Sequence, residues 1–136
     1  MTLKIIQPAG WAKPRGYSNG IIAEGQLLVI GGQIGWNAQQ IFERSDFVGQ
    51  FDQTLANIRS IIDEAGAQPN QIVKMTAYVT DLSAYRENLR EIGRSWKQHL
   101  GRWYPAMALV GVTGLVEPQA LVEIETLLVI PAEASI

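Results

Sequence analysis

The chain has 136 residues, of which 47% are hydrophobic and 18% are charged, which fits one compact domain over residues 1–136 and excludes a disordered polymer. Its formal net charge of −2 argues against a general nucleic-acid binder, because such proteins normally carry a basic stripe. The absence of cysteine excludes disulfides, thiolate nucleophiles and cysteine-ligated metal centres.

The first predicted element is a strand from Gln26 to Ile34, an apolar run that Gly31 and Gly32 interrupt. Glycines inside a strand indicate a close approach of another group to the backbone. From Asp46 to Ala65 the apolar residues recur every three or four positions, which predicts a helix with one buried face. Gly66 follows directly and is typical of a helix end.

The second half of the chain predicts one further helix and three further strands. Apolar and polar residues alternate from Gln71 to Thr80, as in a half-buried strand. A helical stripe then runs from about Leu82 to Leu100, and apolar strands are predicted from Ala106 to Val112 and from Leu121 to Ile130. This order predicts an α+β domain, a mixed sheet with two helices on one face.

Two helices can cover only one face of such a sheet. In the strands at 26–34 and 106–112, however, the side chains that point to either face are mostly apolar. Strands of this kind are normally buried on both faces. At this chain length another copy of the same chain is the simplest cover for the second face. The sequence therefore predicts an obligate homo-oligomer, with polar residues of that face gathered into clefts between subunits.

Glu123 and Glu125 are the most informative acidic pair. Residues two apart in a strand share a face, so both carboxylates project to the same side of the sheet. One interpretation is a pair of solvated rim carboxylates. The other is that one of them lines an intersubunit cleft and orients water as an acid or base.

His99 is the only histidine, and no second metal ligand or catalytic partner stands at a suitable spacing from it. We therefore assign it a structural or surface role and expect neither a zinc site nor a histidine-based triad. Gly31-Gly32 lacks the glycine spacing of phosphate-binding loops, so no nucleotide is expected. The sequence predicts no metal and no cofactor.

Aromatic residues and arginines in predicted loops are candidates for ligand contacts. The aromatic residues would either pack in the core or form the wall of an apolar or planar ligand site. Two arginines, Arg15 and Arg102, would either be solvated or hold a carboxylate. The aromatic set comprises Trp11, Trp36, Trp103 and Tyr104.

Four segments in order resemble the RidA (YjgF/Rid) family of enamine/imine deaminases, with family-like spacing over nearly the whole chain. They are Gly16–Gly20 (GYSNG), Gly32–Ile34 (GQI), Gln50–Gly66 followed by Val73–Thr76, and Tyr104–Ala106 leading to Val122–Glu125. The resemblance implies a chorismate-mutase-like fold and a homotrimer with three clefts at the subunit interfaces. It also implies hydrolysis of reactive 2-aminoacrylate-type enamines and imines to 2-keto acids and ammonia.

The resemblance also implies roles for individual residues. Glu123 matches the glutamate that positions the attacking water, Tyr17 matches a tyrosine of the pocket, and Gly32 matches a backbone contact. With Glu123 as the catalytic candidate, the substrate-binding candidates are Tyr17, Gly31, Gly32, Gln33, Trp36, Leu89, Met107, Ala108 and Leu109.

Three positions depart from the family pattern. Met107 replaces the arginine that holds the substrate carboxylate, Gly31 replaces a serine, and Leu89 replaces an asparagine, although Asn88 is adjacent. Methionine cannot bind a carboxylate, and the loss of a charge-assisted hydrogen bond costs about 1.5–3 kcal/mol. Arg15 or Arg102 is the candidate replacement for the missing cation.

Three functions follow from these observations. The first is a deaminase-type hydrolase with altered substrate preference, and the second is a non-catalytic trimer that binds a small metabolite in the same clefts. The third, an endoribonuclease or translation inhibitor, rests on the resemblance alone and lacks a basic stripe or RNA-stacking motif. The start of the chain has no signal-like apolar stretch and no run of about 18 apolar residues occurs, so we expect a cytoplasmic protein with no membrane partner.

Overall fold

The computed structural model describes residues 3–132, and its main unit is a four-stranded sheet with helices packed on one face. A short 3-10 turn at Pro69–Gln71 precedes the fourth strand. The other elements within the described residues are β1 (Leu3–Ile6), β2 (Gly20–Ala23), β3 (Gln26–Ile34), α1 (Phe47–Glu64), β4 (Ile72–Val79), α2 (Leu82–Glu87), α3 (Leu89–Leu100), β5 (Ala106–Gly111) and β6 (Val122–Ile130).

The strands of this sheet lie in the order β3–β6–β4–β5. β6 pairs antiparallel with both β3 and β4, whereas β4 and β5 are parallel neighbours whose connection runs through α2 and α3. Each of the four predicted strands is present, with ends within one residue of the prediction. The α+β class and the mixed sheet are therefore confirmed.

β1 and β2 form a separate antiparallel hairpin that the sequence did not predict. Each strand has only four residues, too few for a periodic pattern to stand out. In the loop between β1 and β2, Ser18 joins the chain to the segment just before β5. Its N–H donates to the Pro105 carbonyl oxygen at 3.0 Å, and its hydroxyl donates to the Tyr104 carbonyl oxygen at 2.5 Å. This Ser18 clasp holds segment 15–18 beside β5.

The helix α1 forms where the apolar stripe predicted it. Asp46 caps its start, since the Asp46 side chain accepts the Gly49 N–H at 3.0 Å. Gly66 follows its end at φ 71°, a left-handed conformation that favours glycine. The residues of the stripe that are at most 1% exposed are Phe51, Leu55, Ile58 and Ile62.

The second predicted helix is broken at Asn88, which corrects the continuous helix expected from Leu82 to Leu100. Asn88 has φ −123° and ψ 27°, and its side chain donates to the Ala84 carbonyl oxygen at 2.7 Å. Asparagine competes in this way with the backbone hydrogen bonds of a helix, so α2 ends here and α3 begins. The apolar stripe continues from α2 into α3, so the spacing of the apolar residues gives no sign of the break at Asn88.

The two faces of the sheet differ in what covers them. Val122, Ile124 and Leu128 of β6 point to the inner face and are fully buried against the helices. On the outer face, the exposed fractions of the apolar side chains Leu27, Val29 and Val110 are 58%, 64% and 42%. The outer face of the single chain is therefore apolar and open, and its cover by further copies stays a prediction.

His99 connects α3 to α1. Its Nε2 lies 3.0 Å from Asp52 Oδ1, which also accepts the Ser95 hydroxyl at 2.6 Å. The carboxylate separates the serine from the histidine, so the three groups do not form a nucleophile–base relay. Across residues 3–132, no cluster of three or more His, Asp or Glu side chains is arranged to hold a metal ion. No helix of the same range has both the length and the apolarity that a membrane span requires.

Candidate functional site

Glu123 lies at the outer face beside an irregularity in β3. Ile30 pairs with Thr126 and Gln33 pairs with Ile124, so Gly31 and Gly32 together face one residue of β6. This arrangement is a β-bulge, which takes backbone groups of β3 out of the regular ladder. The bulge accounts for the two glycines that the sequence singled out.

The carboxylate of Glu123 occupies the space next to Gly32. A Cβ atom built on Gly32 would lie 2.8 Å from Glu123 Cδ, closer than any real side chain allows. Glycine at position 32 thus lets the carboxylate lie directly against the backbone of the bulge. We call this arrangement of Glu123, Gly31 and Gly32 the Glu123 corner.

The two glutamates of β6 differ in their partners. Tyr78 donates its hydroxyl to Glu125 Oε1 at 2.7 Å, whereas Glu123 accepts no hydrogen bond from any side chain or backbone group of the described range. The hydrogen bond to Glu125, with slight burial and the negative charges of both glutamates, raises the pKa of Tyr78. Glu125 is therefore hydrogen-bonded to the neighbouring strand β4, whereas the Glu123 carboxylate has no hydrogen-bond partner among residues 3–132.

An apolar pocket of about 240 Å³ lies on the inner face, between β5, the helices α2 and α3, and the segment that the Ser18 clasp holds. Met107 points into it from β5, and Leu89 lies at its edge on α3. Burial raises the pKa of Tyr85, whose hydroxyl stays neutral at physiological pH. This inner pocket is lined by Arg15, Gly16, Phe51, Tyr85, Leu89, Ile92, Gly93, Trp96, Tyr104 and Met107.

The structure distinguishes between the two candidate replacement cations. Arg15 lines the inner pocket together with Met107. Arg102 lies in a separate surface hollow with Arg59 and Trp103. Of the two arginines, Arg15 is therefore the one that shares a pocket with Met107.

The other sequence candidates are distributed over several places. Tyr17 is exposed and follows Gly16, which lines the inner pocket, but it is not itself a lining residue. The Gln33 side chain donates to the Gly31 carbonyl oxygen at 3.2 Å and so braces the bulge. Trp36 packs against Phe42, with ring centroids 5.8 Å apart, and does not line the inner pocket.

Two further candidates on β5 point to opposite sides. Leu109 packs against the core, and Ala108 is exposed on the outer face. The pocket residues Phe51, Tyr85, Ile92 and Trp96 were not predicted as site residues, because each belongs to a helical stripe that predicts core packing. Gly93 was not predicted because no pattern singled it out.

Glu123 and Met107 lie on opposite faces of the sheet. Glu123 pairs with Tyr78 of β4, whereas Met107 pairs with Met75, three residues earlier on the same strand. With a strand spacing of about 4.8 Å and a rise of about 3.3 Å per residue, their Cα atoms are roughly 14 Å apart. In the described chain the Glu123 corner and the inner pocket are therefore two separate half-sites.

Comparison with known proteins supplies the family. The family model described as Endoribonuclease L-PSP matches residues 11–130. A RutC family protein of Pasteurella multocida is 33% identical over 105 residues, which are 77% of this chain and 81% of that protein. A 2-iminobutanoate/2-iminopropanoate deaminase of Escherichia coli is 29% identical over 105 residues, covering 77% of this chain and 80% of that protein.

The fold agrees with the sequence comparison. A solved structure from Yersinia pestis, a protein of the conserved Rid family, superposes with a TM-score of 0.84 at 30% identity. The superposition covers 96% of this chain and 100% of that one. The chain belongs to the Rid (YjgF) family, with the α+β fold of that family.

Proposed function

We propose that this protein is a Rid-type hydrolase that converts a reactive imine, or the enamine in equilibrium with it, into a carbonyl compound and ammonia. The proposal is supported by family membership and by the relative from Escherichia coli that is named a 2-iminobutanoate/2-iminopropanoate deaminase. Its active site is a cleft between subunits of a homotrimer. Each cleft combines the Glu123 corner of one subunit with the inner pocket of the next.

The observation that carries this proposal is the separation of the two half-sites on opposite faces of one sheet. A single chain cannot present the Glu123 carboxylate to a ligand held beside Met107, because roughly 14 Å and the sheet itself lie between them. The open apolar outer face, which includes Leu27 and Val29, is a surface that another copy can cover. Assembly of several copies would therefore bring the two half-sites together and would also cover the apolar outer face.

The reaction needs a base, a held carbon–nitrogen double bond and a route for protons. Glu123 takes a proton from a water molecule, whose oxygen attacks the C=N carbon while the imine nitrogen takes up a proton. The proton on Glu123 then passes to the amine nitrogen of the resulting carbinolamine. The C–N bond breaks, ammonia leaves and a C=O bond forms as the carbinolamine hydroxyl loses its proton to the solvent. This proton replaces the one that the imine nitrogen took from the solvent, so that one water is consumed for each ammonia released.

The environment of Glu123 suits this role. Its carboxylate has no hydrogen-bond donor within residues 3–132 and lies against the glycines of the bulge, so it is free to orient a water molecule. Arg15 supplies the positive charge for a substrate carboxylate, since Met107 cannot.

The decisive experiment compares two matched glutamate variants. Imines are generated in situ by an amino-acid oxidase, and the release of keto acid is followed with wild type, Glu123→Gln and Glu125→Gln. General acid–base catalysis contributes about 10²–10⁴-fold, so Glu123→Gln should lose at least about a hundredfold in kcat while Glu125→Gln stays within a few-fold of wild type. Equal activity of wild type and Glu123→Gln on every accepted imine would refute the assignment.

A second candidate function is favoured by one observation. Met107 stands where the family pattern has the carboxylate-binding arginine, and it makes the inner pocket more apolar. A trimer that binds a small metabolite without turnover would keep the pocket and lose the reaction. Stabilisation by keto acids in a thermal-shift experiment, together with no acceleration of any imine, would favour this candidate over the hydrolase.

A further inference from the structure

We infer that the inner pocket takes a monoanionic imino or keto acid with an aryl or similarly bulky apolar group, and that Arg15 binds its carboxylate. This inference rests on the proposed function, because it names the substrate class of the same site. It follows from the walls of the pocket, its charge and the space that Gly93 leaves open.

The walls are aromatic and aliphatic. Trp96 and Tyr104 are stacked, with ring centroids 6.2 Å apart and planes 15° from parallel. The Trp96 indole N–H donates to the Trp103 carbonyl oxygen at 3.0 Å, which fixes the indole ring. Fixed flat walls favour a flat apolar group, because aromatic rings prefer offset-stacked or edge-to-face contacts.

The charge of the pocket is single and positive. Arg15 is the one charged side chain that lines it among residues 3–132, and no carboxylate faces it there. One guanidinium matches one carboxylate through two parallel hydrogen bonds, whereas the second carboxylate of a dianion would find no cation in this pocket and would be repelled by Glu123 of the next subunit in the proposed cleft. The ligand is therefore a monoanion.

Gly93 keeps space open in the pocket. It lies inside α3, four residues after Leu89 and three before Trp96, so it faces the same side of the helix as both. Glycine weakens a helix interior relative to alanine. A Cβ at Gly93 would meet no atom of the described chain within 4 Å, so packing does not require glycine at this position. Glycine at position 93 therefore keeps part of the volume of the inner pocket open.

The size of the pocket agrees with an aryl group. Its volume is about 240 Å³. An apolar cavity of about 150 Å³ is large enough to bind benzene. The remaining volume accommodates the short chain that links a ring to a carboxylate at Arg15.

The test measures binding of stable keto acids by calorimetry, independently of turnover. Phenylpyruvate is the probe, pyruvate is the small anionic control, and phenylacetone is the neutral aryl control. We expect phenylpyruvate to bind at least about tenfold more tightly than pyruvate. Equal affinity for the two acids would overturn the inference.

Two pairs of variants locate the contacts. Arg15→Gln should weaken phenylpyruvate binding about tenfold and change phenylacetone binding less than twofold, whereas the control Arg102→Gln should change neither. Gly93→Leu should weaken both aryl ligands at least about tenfold, whereas Gln98→Leu, on the exposed part of the same helix, should not. Loss of phenylpyruvate binding in Arg102→Gln, or its retention in both Arg15→Gln and Gly93→Leu, would overturn the inference.

The outcomes separate this inference from the proposed function. Gly93→Ala, which adds a single methyl group and favours the helix, gives a second readout if Gly93→Leu does not fold, and it should weaken phenylpyruvate more than pyruvate. Selective aryl binding without any turnover would support the pocket assignment and count against the hydrolase. Turnover that is lost in Glu123→Gln but unchanged in Arg15→Gln and Gly93→Leu would support the hydrolase and count against the pocket assignment.

Discussion

Leu27→Asp should prevent assembly of the proposed homotrimer. Leu27 is on the outer face and is 58% exposed in the single chain. Full burial of a leucine contributes about 1.5–3 kcal/mol, so covering the exposed part contributes about 1–2 kcal/mol per subunit. Three equivalent contacts in a ring then amount to about 3–6 kcal/mol, or roughly 10²–10⁴-fold in the association constant. Desolvation of the new carboxylate adds a further penalty.

Light scattering coupled to size-exclusion chromatography at micromolar concentration measures this effect directly. Wild type should elute at three times the 15.0 kDa mass of the chain, and Leu27→Asp should elute as a folded single chain. Val116→Asp is the matched control, because Val116 is 95% exposed on the loop between β5 and β6. A monomeric wild type, or a Leu27→Asp variant that still forms a trimer of undiminished stability, would refute assembly through the outer face at Leu27.

Three further substitutions test separate parts of the structure. Gly93→Ala should raise the melting temperature by about 2–4 °C in a thermal unfolding experiment, and a decrease would show that the glycine has a structural role. Asp46→Ala should lower the free energy of unfolding by about 1 kcal/mol in urea titrations at neutral pH. Slight burial acts to raise the pKa of Asp46, but the Gly49 N–H and a nearby guanidinium outweigh it and lower the pKa. The contribution of the cap is therefore present above the unfolded-state pKa and is lost as the pH falls through the folded-state pKa, so the difference between wild type and Asp46→Ala should vanish in acid. Gly32→Ala should displace the Glu123 carboxylate and reduce kcat with little change in melting temperature, and full activity would exclude the proposed contact.

Elements with a long, regular pattern could be predicted from the sequence. The stripe of α1 extends over 18 residues with a cap at Asp46, and β6 alternates between buried and half-exposed residues over most of its length. The hairpin of β1 and β2 could not be found, because four-residue strands leave too little periodicity. The break at Asn88 was hidden by apolar spacing that continues from α2 into α3.

The candidate site was predictable only in part. Glu123 and Gly32 could be singled out because they belong to segments that resemble a known family. The inner pocket could not, since it joins segment 15–16, the helices α2 and α3, and the start of β5, which no local pattern connects. Gly93 in particular stands next to the stripe residue Ile92, and a single glycine inside a helical segment gives no sign of an open volume.

The Ser18 clasp determines when the inner pocket can form during synthesis of the chain. Its hydroxyl bond to Tyr104 spans 86 positions along the chain. A ribosome must therefore synthesise just over three-quarters of the polypeptide before the segment with Arg15 has its partner, and α1 and β4 are synthesised earlier. Contacts between such distant positions form slowly, because a large loop must close first. The inner pocket is accordingly among the last features of the nascent protein to form.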